Sequence, residues 1–307
     1  IWMGGYDASA TLNVIQFVEI DTKGNTVDFG DLATATQNGS VSCSSTRAVL
    51  NGGNTGSEVT TLTYITMASQ GNSVDFGDRT EAKDSTGATS NSVRGIVAGG
   101  GTSTVIDYYN INNGGTAVDF GDLTVGRWGG QNTSNGVRQI NMGGSSPYTN
   151  TIDFVTIAST GNATDFGDIN NNLVGNGNLS SQIRALSFGG SDPSGNKPTQ
   201  IDYVTIASTG NAQDFGDMST YVNNTANLAS STRGIMAGGT ISPTRTNTIQ
   251  FVTINTQGNS VDFGDLVDHG DGASSLMYNG VGYSNSTRGI IHGGRDVNGN
   301  MNNLIQF

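Results

Sequence analysis

Six copies of Asp-Phe-Gly-Asp, closing at Asp31, Asp78, Asp122, Asp168, Asp217 and Asp265, each set two carboxylates three residues apart. Paired carboxylates are candidate ligands for a hard cation such as calcium, which takes roughly six to eight oxygens. No EF-hand or nonapeptide calcium pattern accompanies them. Six arginines, Arg47, Arg94, Arg138, Arg184, Arg233 and Arg288, each stand five residues before the first glycine of a Gly-Gly pair. Bidentate arginine–carboxylate pairing is geometrically specific. The expectation preferred over a cation is therefore a structural ring, in which each arginine meets an aspartate of its own or a neighbouring unit, with no cofactor.

Catalysis needs groups that stand out from the repeat. Asp-Phe-Gly is the metal-binding triplet of protein kinases, but there it works with a glycine-rich loop, a strand lysine and a His-Arg-Asp loop. Six copies at one register argue for architecture instead. Copper-radical chemistry would need histidine and tyrosine ligands and a tyrosine–cysteine link, and the chain offers only His269, His292 and Cys43 beside its tyrosines. His292 falls where other copies carry Ala98, Met142, Phe188 and Ala237, as a strand residue would. The arginines suit a ring better than a sialidase-type triad, and Ser-x-Asp-x-Gly boxes are absent. The chain reads as non-enzymatic.

The elements that must position these residues follow from the period. Successive Asp-Phe-Gly-Asp pieces are 44 to 49 residues apart, a spacing typical of propellers, solenoids and arrays. Each unit holds an Arg-x-apolar strand ended by Gly-Gly, a variable loop, and a strand alternating with period two, such as Ile152-Asp-Phe-Val-Thr-Ile157. A Gly-Asn turn follows, with Gly114-Gly115 as its counterpart in the third copy, and then the Asp-Phe-Gly-Asp strand. Fifteen Ser/Thr/Asn-rich residues link that strand to the next arginine in five of six junctions, room for a loop and one short strand. Four antiparallel strands per unit, repeated, predict an all-β β-propeller with seven blades, six being the alternative. The seven units are 1–32, 33–79, 80–123, 124–169, 170–218, 219–266 and 267–307, in one domain. The first is expected to lack the strand before Gly4-Gly5, and the last its Asp-Phe-Gly-Asp strand. The phenylalanine of that motif is expected to fill the space between adjacent sheets.

Composition narrows the partners. Of 307 residues 46 are glycine and four proline, and the formal charge is −12. That charge repels phosphate backbones and the arginines are dispersed, which argues against nucleic acid. No run approaches 18 apolar residues, so no membrane span is predicted, and Ile1-Trp-Met-Gly-Gly reads as strand and not as a signal peptide. The single Cys43 permits no internal disulfide.

The order arginine, apolar strand, Gly-Gly, variable loop, apolar-x-Tyr/Phe, turn, aromatic resembles a kelch-type repeat over the whole chain, with phenylalanine where kelch blades usually carry tryptophan. Runs such as Ile201-Asp-Tyr-Val-Thr-Ile-Ala-Ser-Thr-Gly-Asn211, Asp214-Phe-Gly-Asp217 and Ser231-Thr-Arg-Gly234 resemble repeat proteins of tailed marine bacteriophages, including cyanophages. Those are described as tail-fibre-like or virion structural proteins. The resemblance implies a virion component, at a tail fibre or the particle surface, with other virion proteins as partners.

Variation is concentrated after Gly-Gly, at Tyr6–Thr11, Ser145–Tyr148, Ser191–Lys197, Thr240–Arg245 and Arg295–Asn300. In a meander these loops and the inter-blade junctions leave by one end, the expected contact face. The last junction, Asp265 to Arg288, is seven residues longer than the other five and brings Asp268, His269, Asp271, Met277, Tyr278 and Tyr283. With Trp128, Tyr221 and Tyr148, all of these but Met277 form the candidate ligand-binding set, since aromatics among Asn and Asp suit sugar recognition. A plug of the ring or a contact with a neighbouring subunit is the alternative for the insertion. The expected function is attachment to a host surface glycan or protein. Decoration of capsid or tail by protein contacts alone is the alternative, and glycan processing a distant third.

Overall fold

The computed structural model describes residues 1–128, 132–241, 244–267, 280–295, 301 and 304–307. Among them there is no helix. Their strands form seven antiparallel sheets, five of four strands and the first and last of three. The fold is an all-β, seven-bladed β-propeller. Blade two is representative: Ser40–Cys43, Arg47–Asn51, Thr61–Thr66 and Val74–Asp78 run as a meander, each strand beside the next. The short strand predicted within the junction is the first strand of its blade.

Local chemistry fixes each turn. Before every repeat arginine a Ser or Asn accepts the arginine N–H, as in Ser181 Oγ to Arg184 at 3.1 Å and Asn91 Oδ1 to Arg94 at 2.7 Å. These side chains supply a turn bond that the strands cannot. The Ser/Thr/Asn-rich text ahead of each arginine is this turn.

Asp-Phe-Gly-Asp is a β-bulge. In the third blade Ile106 faces Gly121 and Asp107 faces Asp119, which leaves Phe120 as the extra residue. The same skip occurs in the first, second, fifth and sixth blades. A bulge leaves an amide without a ladder partner and re-aims a side chain. Here the first aspartate accepts the orphaned glycine N–H, Asp119 to Gly121 at 3.0 Å and Asp214 to Gly216 at 2.9 Å. The phenylalanine turns inward, edge-on to the aromatic of the preceding strand: Tyr108–Phe120 at 5.7 Å and Tyr203–Phe215 at 5.8 Å.

The bulge also fastens one blade to the next. The Phe29 and Asp31 carbonyls accept from Gly71 and Ser73 of the following Gly-Asn turn, at 2.7 and 2.8 Å. The same two bonds join Phe76 and Asp78 to Gly115 and Ala117, Phe120 and Asp122 to Gly161 and Ala163, Phe166 and Asp168 to Gly210 and Ala212, and Phe215 and Asp217 to Gly258 and Ser260. The turn asparagine adds a third: Asn162 Oδ1 accepts from Asp122 N at 3.1 Å and Asn259 Oδ1 from Asp217 N at 3.0 Å. A side chain on the bulge glycine would lie 2.3 to 2.7 Å from the opposing turn backbone at these five contacts, so glycine is required by contact as well as by its positive φ. In the third copy the docking residue is Gly115, not Gly114, and Thr116 stands where the asparagine would be.

A second fastening lies at the other end of the sheets. The second glycine of the first five Gly-Gly pairs donates to the junction leading onward, as Gly5 does to Thr36 O at 2.8 Å and Gly144 to Leu173 O at 2.9 Å. The chain forms two compact units, one of Ile1–Asn141, Ser145–Pro147 and Asp153–Asp165, the other of Met142–Gly144, Tyr148–Ile152 and Phe166–Phe307. Within the first, Val49, Leu62, Phe76, Val97, Tyr109 and Ile111 form one buried cluster. Within the second, Leu186, Phe188, Phe215, Met236, Val252 and Ile254 belong to another.

Candidate functional site

The repeat arginines do not form the expected ring with the aspartates. Each guanidinium lies over the aromatic of the neighbouring strand at 4.4 to 5.0 Å: Arg47 on Tyr64, Arg94 on Tyr108, Arg138 on Phe154, Arg184 on Tyr203, Arg233 on Phe251 and Arg288 on Phe307. Arg47, Arg94 and Arg184 also donate to a carbonyl of the next blade, to Asn112 at 2.9 Å, Ile157 at 3.1 Å and Ile254 at 2.8 Å. Among the described residues, Asp31, Asp78, Asp122, Asp168, Asp217 and Asp265 take part in no ion pair. Asp78, Asp122 and Asp217 instead accept a threonine hydroxyl of their own blade, from Thr60, Thr104 and Thr199. A planar cation matches a flat ring, and the strand register offers it the ring while the bulge turns the carboxylates elsewhere. Among the described residues no three metal-ligating side chains gather.

The buried ion pairs are off that register. Arg127 Nη2 meets Asp153 at 2.8 Å and Arg79 Nε meets Asp107 at 3.1 Å, all four side chains fully buried. Thr124 and Thr80 share the same carboxylates, and Asn170 and Ser219 make the equivalent bonds to Asp202 and Gln250. Sequence reasoning passed over this lock. Its signal was present, because Arg79 stands where other copies place Leu32, Leu123, Ile169, Met218 and Leu266.

The loop end is built from pairs. Backbone bridges join junctions to the loops after Gly-Gly, Gln37 with Asn54, Trp128 with Ser145 and Asn223 with Thr240. Two loops are tied internally by one carboxylate. Asp7 accepts from Ser9 N, Ser9 Oγ and Ala10 N, and Asp192 accepts from Ser194 N, Asn196 N and Asn196 Nδ2. Those bonds, led by the Ser9 and Asn196 side chains, hold both carboxyl groups below their ordinary value. The second loop sets Lys197 Nζ over the Tyr221 ring at 5.6 Å. Among the described residues the buried Tyr221 hydroxyl meets no hydrogen-bond partner, and burial pushes the phenol up to about 12.

Of the candidate ligand-binding residues, Trp128 in the first unit and Tyr148 in the second stand exposed at the loop end, at 49% and 41%. Tyr221 belongs there too, capped by Lys197, a residue the candidate set omitted. Tyr283 is a strand residue, in Val281–Ser284, with its ring stacked on His292 at 5.7 Å. His292 lies in the strand Gly289–His292, and burial lowers its imidazole to about 4. Asp268, His269, Asp271 and Tyr278 lie outside the described residues. The chain matches no family model, and no curated protein is similar to it.

Proposed function

We propose that this protein is a non-enzymatic attachment component of a tailed bacteriophage particle, gripping a host surface glycan or protein through the loop end of its blades. One observation carries the proposal: two of the varied loops are held in shape by the bonds of Asp7 and Asp192, and Trp128 in a junction and Tyr148 in a loop stand exposed. Loops ordered before contact lose less entropy on binding. Trp128 and Tyr148 offer flat apolar faces for sugar rings, and the surrounding Asn, Ser and Thr offer hydroxyl partners. The fastenings at this end run between backbone atoms, so side chains there can vary without breaking them.

The test is an array of host surface polysaccharides together with host cells, probed with the intact chain. Binding should fall at least tenfold in W128A/Y148A, and in a variant with 192–197 replaced by glycine and serine, with the unfolding midpoint unchanged. A stoichiometric contact with purified particles through these loops, and no host binding, would instead establish decoration. Turnover of a sugar would establish an enzyme.

A further inference from the structure

The polar lock between neighbouring sheets is missing at one place. In blades three to six the third strand carries Asp107, Asp153, Asp202 or Gln250, which accepts from Thr80, Thr124, Asn170 or Ser219, two residues past the preceding Asp-Phe-Gly-Asp. In blade two the same two registers hold Thr63 and Ala33. Both side chains are shorter, and that of Ala33 has nothing to donate. A cavity of about 440 Å³ stands there, lined by these two residues and, among others, Thr34, Thr36, Thr61 and Asp75. That size falls within the usual range for small-molecule sites, roughly 300–1,000 Å³. Its lining residues all fall between 33 and 75, in the junction entering blade two and in that blade's own strands and loop, within the first unit. Thr55 and Val59 belong to the loop after Gly52-Gly53, so the cavity reaches the loop end. Thr63 Oγ1 is buried and meets no hydrogen-bond partner among the described residues. A buried polar atom without a partner is a place for water or for the polar group of a ligand.

We propose that this cavity is a subsite for one neutral, hydroxyl-rich unit, a sugar ring of the glycan. It rests on the attachment reading for the source of that unit, and on the cavity for its chemistry. Threonine hydroxyls both donate and accept, and a carboxylate only accepts, so together they match ligand hydroxyls, which do both. Leu50 and Val59 add apolar wall for the carbon face of a ring. Charged ligands fit less well. Among the described lining residues Asp75 alone carries a charge, and with the formal charge of −12 it disfavours an anion. A divalent cation collects roughly six to eight oxygens, commonly from several carboxylates, and one carboxylate among hydroxyls supplies too little charge.

The test follows amide shifts of the intact, isotope-labelled chain during titration with glucose, galactose and mannose, with acetate and calcium as charged probes. At least one hexose should shift the amides of Thr34 and Thr63 saturably, and neither charged probe should. A33T/T63D installs the pair found in blade three, fills the cavity and should weaken hexose binding at least tenfold. The repeat already accommodates that pair, since Asp107 faces Asp119 as Thr63 faces Asp75. T63V keeps the shape, removes a hydroxyl that the fold does not use, and should weaken binding by about three- to tenfold with the unfolding midpoint unchanged. No saturable shift of these amides with any hexose, hexose binding indifferent to both variants, or a preference for acetate or calcium would overturn the proposal. Host-polysaccharide binding lost in W128A/Y148A but kept in A33T/T63D would overturn it too, and would leave attachment standing. Hexose binding sensitive to both variants, in a chain that binds no host polysaccharide, would sustain the subsite and refute attachment.

Discussion

At the scale of the residue, identical side chains do different work according to what meets them. Phe120 is enclosed between sheets and Phe263 is half exposed. F120A should cost about 3–5 kcal/mol in denaturant unfolding, whereas F263A should cost less than about 1 kcal/mol. Equal losses would show that the enclosure has been misread. R184A removes a ring contact and a carbonyl bond together, and should cost about 1–2 kcal/mol. An unchanged midpoint would leave the arginine without a structural role. His292 sets a pH dependence. Its folded value, about 4, lies below the ordinary 6.5, so folding favours the neutral ring. The associated stability is complete above pH 6.5 and is lost as pH falls toward 4, by at most about 3 kcal/mol. H292M, which copies the Met142 register, should flatten that slope in acid titrations followed by thermal melts.

At the scale of the element, the repeat joins adjacent blades through polar bonds at both ends of each sheet and through a buried lock between them. R127M would leave Asp153 charged and buried without its cation, and should cost about 3–5 kcal/mol. R127M/D153L should recover part of that loss, and a double variant no better than the single would contradict the pairing. Much of this was legible from the residues. Period-two alternation gave the strands, and Gly-Asn gave the hairpin turns, while the Ser or Asn that closes the turn before each arginine was read only as part of a loop. The Asp-Phe-Gly-Asp phenylalanine was read correctly as a buried filler at Phe29, Phe76, Phe120, Phe166 and Phe215, because bulk and apolarity at a repeated register have few other uses, but not at Phe263, which is 53% exposed. The partners of the arginines were not legible. A repeated arginine and a repeated aspartate suggest each other, but the bulge rotates the carboxylates toward their own amide and threonine, which only backbone register reveals. Nor does Gly-Asn announce that it fastens a neighbour as well as turning its own chain.

At the scale of the whole molecule, the residues repeated without change are those that hold blade to blade, and the residues free to vary collect at the loop end. Trp128 and Tyr221 lie in junctions and Tyr148 in a loop after Gly-Gly, each at the loop end of its own blade, while the segment of Tyr283 pairs as a strand. Amide hydrogen exchange of the intact chain tests this division most directly. Gly71, Gly115, Gly161, Gly210 and Gly258 sit in exposed turns, yet each donates to a carbonyl of the preceding blade, whereas among the described residues Gly24, at the matching place in the first blade, donates to no backbone carbonyl. Their amides should exchange at least a hundredfold more slowly than that of Gly24. Five turn glycines exchanging as fast as Gly24 would mean that the blades are not fastened there, and the central claim would fail.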